Sequence, residues 1–180
     1  MIPPLFRRSP KRTIAVLYGA IVAQARNQRF YQDYAVPDTV LGRFDMVLLH
    51  VVLVLRRLRA GDTGQHALAQ ALFDAFCRDI DHNLREMGVS DQRVPEQMRR
   101  VGEAFYGRAQ AYEAALAEGG EGALREALAR NVYAGMADRE LEAAALAAYV
   151  REAAGLFGAQ ALDAGEVWFP ELAPLATAAE

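Results

Sequence analysis

The stretch Met46–Leu55, MVLLHVVLVL, limits what this chain can fold into more than any other segment. It is apolar except for His50 and is bracketed by Asp45 and by Arg56-Arg57. Crossing a bilayer as a helix takes roughly twenty apolar residues, so a run this short belongs to a helix buried in protein. A helix that is apolar on nearly all sides is surrounded by others, and the remainder of the chain must supply amphipathic faces to enclose it. The chain has 180 residues, of which 53% are hydrophobic and 24% charged, enough for one domain with a sizeable core. Its single cysteine, Cys77, rules out an intrachain disulfide and a cysteine-based zinc site.

Helical periodicity runs through most of the sequence. Ile14, Leu17, Tyr18, Ile21, Val22 and Ala25 recur at three and four, which predicts a first helix over Thr13–Arg29. An aromatic-rich connection, Phe30–Ala35, follows. Pro37 disfavours helix at Val36, and Asp38 or Thr39 is placed to cap a second helix running to about Arg59. Leu68, Leu72, Phe76, Ile80 and Leu84 mark a third helix over Gln65–Met87, with Gly88 as its stop. Asp74 and Arg78, and Asp81 and Arg85, are spaced to pair along its outer face.

Pro95 falls in the first turn of a fourth helix, whose face carries Met98, Val101, Phe105, Ala109, Tyr112 and Leu116. Gly102 and Gly107 each weaken such a helix by about 1 kcal/mol relative to Ala, a cost usually offset by close approach of another backbone. Two further helices are expected over Ala123–Ala134 and Asp138–Phe157, the second with Leu141, Tyr149 and Val150 inward. From Gly165 onward the prolines point to an extended tail, pressed onto the body through Trp168. The expected fold is all-α: one compact domain of about six helices over residues 13–157. A basic leader (1–12) precedes it and an extended C-terminal tail (158–180) follows.

The net charge of −3 is unevenly distributed. Residues 1–60 carry +7, while residues 61–120 carry −4 and residues 121–180 carry −6. A basic front on an acidic body suits an anionic partner such as a membrane surface or ribosomal RNA. Within the leader, Arg7, Arg8, Lys11 and Arg12 are the candidate contacts. No apolar h-region follows them, so the expected location is the cytoplasm, peripheral at the inner face of the cytoplasmic membrane.

Catalytic patterns are sparse. Asp79, His82 and Glu86 share a helix face, but a di-iron bundle needs two Glu-x-x-His pairs with further carboxylates on facing helices. The pattern therefore reads as a solvated charged face, with no metal expected. There is no Gly-x-Ser-x-Gly, phosphate-binding loop or dinucleotide fingerprint, and the only lysine, Lys11, lies in the leader. No cofactor and no catalytic residue are assigned. Arg43, His50 and Arg57 are seven apart and form a polar line along the apolar second helix. The line is either a solvent edge or inter-helix tie, or the contact to a partner or an acidic helix.

Val36–His50, VPDTVLGRFDMVLLH, followed by LVLRRL from Leu53, resembles the ubiquinol–cytochrome c chaperone family. The likeness continues through ALFDAF (71–76), RDID (78–81), LREMGV (84–89), EAFYGR (103–108) and LARNVY (128–133). It covers roughly Tyr18 to Tyr133 and leaves the last part of the chain outside it. The chain looks like the compact bacterial form of that family.

The resemblance implies an assembly factor and not an enzyme. Mitochondrial members help newly made cytochrome b into the ubiquinol–cytochrome c reductase, working with a small partner protein near the ribosomal exit. The implied partners here are the cytochrome b apoprotein and, through the basic N-terminus, the ribosome or the inner-membrane surface. The alternative is a non-catalytic scaffold that recruits another component of the membrane or ribosome. Pro37, Asp38 and Thr39 match the family's helix-start motif and Phe44 a core aromatic, while Asp79 and Arg85 match polar positions. His50, Arg130 and Asn131, with Arg43 and Arg57, are the candidates for a client surface, although a buried polar cluster joining helices is an equal reading for the first three.

Overall fold

A computed structural model describes residues 10–162 and 165–175. The order is α1 (Pro10–Ala25), α2 (Gln28–Gln32), α3 (Val40–Arg59), α4 (Thr63–Glu86), α5 (Val94–Glu118), α6 (Glu121–Asn131), a 3-10 turn (Ala137–Arg139) and α7 (Glu140–Gly158). Among the described residues there is no strand. The six longer helices correspond to those expected, and the fold is all-α.

The apolar run is the central element. Met46, every residue from Leu48 to Leu55, and Leu58 are buried in α3. Helices α1, α4, α5 and α7 all pack on it, and α6 bridges α5 and α7. The start of α3 explains its setting. Thr39 is the N-cap, with Oγ1 accepting from the Gly42 amide at 3.1 Å, while Asp38 lies outside the helix. A Cβ on Gly42 would lie 2.0 Å from the Pro37 carbonyl oxygen, so only glycine lets this turn fold back on Pro37. At the end of α4, Gly88 has φ +82°; its amide donates to Arg85 O and that of Val89 to Leu84 O, closing a Schellman motif.

Several expectations are corrected. α1 ends at Ala25 and not at Arg29, and Asn27 caps a separate short helix, α2, which spans the expected helix end and the start of the expected connection; its Phe30 is fully buried. Leu141 is 72% exposed, because at helical spacing it lies off the buried stripe of Ala143, Leu146, Ala147 and Val150. Nothing lies within 4 Å of a Cβ built on Gly102 or Gly107, so no close backbone approach accounts for either. Asp81 does pair with Arg85 at 2.8 Å, but Asp74 accepts from Gln70. The tail is extended and docked, yet Trp168 is 70% exposed. Phe169 takes the inward place, edge-on to Phe157 and to His50 at centroid distances of 5.4 Å. Tyr34 and Arg29 then donate to the carbonyls of Ala173 and Leu172. Arg7 and Arg8 lie outside the described residues; Lys11 and Arg12 are exposed on the first turn of α1.

Candidate functional site

The apolar stripes of α4 and α5 are longer than the core they serve. Leu72 and Phe76 are buried, but Ile80 and Leu84, one and two turns further along α4, are only half covered. On α5 the order is reversed: Phe105, Ala109 and Tyr112 are buried, whereas Met98 and Val101 are half exposed. These overhanging segments, with the C-terminal half of α1 and the N-terminal half of α3, enclose a groove of about 700 Å³. Its surface is made by Val22, Phe44, Val47, Ile80, Leu84 and Val101, with Val40, Leu41 and Met87 at its edges. Val40, Leu41 and Met87 are 67%, 62% and 62% exposed. Phe44 therefore belongs to this surface, half-buried against Phe76, and not to the closed core expected for it.

Polar side chains interrupt the apolar lining, and Asp79, Arg43, Arg100 and Arg108 are each met by a group outside it. Tyr18 donates to Asp79 at 2.8 Å, tying α1 to α4; burial, then the neighbouring carboxylate, raises the pKa of its hydroxyl. Arg43 pairs with Asp38 at 2.6 Å and lies over the Tyr31 ring at 5.7 Å. Its hydrogen bond holds the Asp38 carboxyl below the usual range. Deeper in, Arg108 Nη2 stands 2.9 Å from Oδ1 of the buried Asp45. The contact is an ion pair without hydrogen-bond geometry, and Arg108 Nε is buried without a partner. Burial pushes the Asp45 carboxyl up to about 6 against the opposing pull of Arg108.

The expected site residues are not brought together. His50 has no exposed area, which removes it from any client surface in this conformation. Its Nδ1 lies 2.7 Å from Met46 O, an acceptor, so Nδ1 carries the hydrogen. Nε2 then accepts from the Tyr149 hydroxyl at 2.9 Å, and that hydroxyl accepts from Gln24 at 3.0 Å. The chain of donors ties α1, α7 and α3, and burial lowers the imidazole to about 4, keeping it neutral.

Arg57 is also engaged internally. It donates to Phe157 O, Gln160 O and Gln65 Oε1, holding the end of α7 and the segment just after it against α3. Of the polar line on α3, only Arg43 reaches the groove. Arg130 is exposed on α6, 3.9 Å from Glu126. Asn131 is half-buried and directed at the buried Tyr112 hydroxyl, which lacks a hydrogen-bond partner of proper geometry. Arg85 bridges Asp81 and Asp91, fastening the end of α4 to the following loop.

Sequence reasoning passed over Arg26, Asp45 and Arg108. Arg108 carries a signal: it falls four residues before Tyr112, next to an otherwise apolar stripe. No group of three or more His, Cys, Asp and Glu among the described residues could hold a metal ion. No helix among them is long and apolar enough to cross a membrane.

Residues 32–165 match the ubiquinol-cytochrome C chaperone family, the greater part of the chain. The chain belongs to that family. Its match runs past Tyr133 through α7, further than the motifs alone suggest. A relative from Xenopus laevis, the ubiquinol-cytochrome-c reductase complex assembly factor 1, is 26% identical over 174 residues, covering 93% of this chain and 86% of its own. The crystal structure of the Cbp3 homolog from Brucella abortus superposes with a TM-score of 0.84 at 38% identity, covering 91% of each chain. The family's fold is thus present over most of the chain, and the groove is an apolar open surface on it.

Proposed function

We propose that this chain is a non-catalytic assembly chaperone that holds newly made cytochrome b while the ubiquinol–cytochrome c reductase complex is built. The observation that carries the reading is the groove: an aliphatic trough of about 700 Å³ between α1, α3, α4 and α5, edged by exposed Val40, Leu41 and Met87. Exposed apolar surface gathered in one concave place is what an apolar client helix needs. Family membership and the name of the Xenopus relative support the complex on which it acts. The basic leader, with Lys11 and Arg12 continuing it onto α1, keeps the chaperone beside an anionic membrane or ribosome surface, each cation contributing about 1 kcal/mol near such a surface.

Co-purification from the native host tests the reading. A tagged chain, recovered after gentle membrane solubilisation, is expected to bring down cytochrome b without its partner subunits, and Leu41→Glu with Met87→Glu is expected to lose it. Reproducible recovery of a different membrane or ribosomal protein, with no cytochrome b, would replace the chaperone reading by that of a scaffold.

A further inference from the structure

Four arginines line the groove, and they are not equivalent. Arg43 and Arg100 are engaged by exposed acids outside it, Asp38 at 2.6 Å and Glu96 at 2.7 Å. The Arg26 side chain makes no hydrogen bond or ion pair among the described residues, its backbone amide alone donating to Val22 O, and the Arg108 guanidinium has only its imperfect contact with Asp45. Arg26 stands in the turn immediately after α1 and Arg108 on α5, and both helices pack on α3 and α4. Two guanidinium groups with donors to spare thus enter one apolar trough from separate walls. Of the two acids in the lining, Asp79 already accepts from Tyr18, and Glu86 lies exposed.

We propose that the groove takes an apolar helical segment bearing one carboxylate, and that Arg26 and Arg108 bind that carboxylate. This rests on the groove being the client site and names the chemistry of the segment it selects. Once the segment covers the groove, water no longer screens the pair, and a charge-assisted contact to guanidinium strengthens. A wholly apolar segment would bury Arg108 with its donors unmet, a penalty that the carboxylate removes. A lysine in the same place would set a third cation against two. The proximity of Asp45 does not prevent this, since one guanidinium can serve two carboxylates: Arg85 does so in this chain with Asp81 and Asp91.

The test uses the full chain and fluorescent helical peptides of Leu, Ala and Gln whose central residue is Glu, Gln, Leu or Lys. In polarisation titrations the Glu peptide is expected to bind about tenfold more tightly than the Gln peptide, with the Lys peptide weakest. Arg26→Glu is expected to reverse the order of the Glu and Lys peptides. Because Arg26 is exposed and does not hold Asp45, that variant keeps the test valid where Arg108→Gln fails to fold; Arg108→Gln combined with Asp45→Asn avoids a buried unpaired carboxylate. Equal binding of the Glu and Gln peptides, or a Glu preference that survives Arg26→Glu, would overturn the proposal. Binding of no peptide by the wild type would overturn it too, while leaving capture of cytochrome b free to occur elsewhere. A Glu preference lost in Arg26→Glu, in a chain that captures no cytochrome b, would sustain this proposal and remove the client assignment.

Discussion

At the residue scale, His50 shows how one buried ring fixes both packing and pH response. Removing it leaves the Tyr149 hydroxyl without its acceptor in a closed core, and His50→Ala is expected to cost about 2–4 kcal/mol. The folded imidazole, held near 4, resists a proton that the unfolded chain accepts near 6.5. Its contribution to stability is therefore complete above pH 6.5 and is lost as the pH falls toward 4, by up to roughly 3 kcal/mol. Asp45 acts in the opposite sense: with its carboxyl raised to about 6, its contribution is complete below about 3.8 and is lost as the pH rises through 6. Comparison with a His50→Gln variant separates the two. Urea denaturation at pH 7 and pH 5 should show the wild type losing more stability than the variant; equal losses would contradict a neutral buried His50.

At the element scale, the glycines divide by what a methyl group would meet. Gly42→Ala drives a Cβ into the Pro37 carbonyl and is expected to destabilise by about 1–3 kcal/mol. Gly102→Ala and Gly107→Ala, with open space around both, are expected to stabilise α5 by up to about 1 kcal/mol each. Thermal unfolding of the three variants checks the sign of each change. The tail gives a similar contrast: Phe169→Ala should cost about 2 kcal/mol and Trp168→Ala under about 0.5 kcal/mol. A larger effect at Trp168 would mean that the tail docks in another way.

Helix placement was legible in the sequence because α4 and α5 carry clear periodicity, Gly88 stops α4, and α3 is marked by its continuous apolar run behind the Pro37–Thr39 start. Which aromatic anchors the tail was not, because Trp168 and Phe169 are adjacent and opposite in facing, and composition favours the larger ring. The groove was hidden for a related reason. Ile80, Leu84 and Val101 have the spacing of core residues, and periodicity says which face of a helix is apolar without saying whether another helix covers it. Arg43 was found because it starts the polar line on α3. Arg26 and Arg108 were not, because their meaning depends on two segments distant in sequence sharing one trough.

At the scale of the whole molecule, the fold separates a closed half from an open one. His50, Arg57 and the docked tail lock α3 to α7 on one side, and the overhanging stripes of α4 and α5 leave α3 partly uncovered on the other. The most direct test places a photo-crosslinking residue at Met87 or Leu41 on the groove edge, or at Glu126 on α6, and illuminates cells that are assembling the reductase. The account predicts cross-links to cytochrome b from Met87 and Leu41 and none from Glu126. Cross-links to cytochrome b from Glu126, with both groove positions silent, would contradict it.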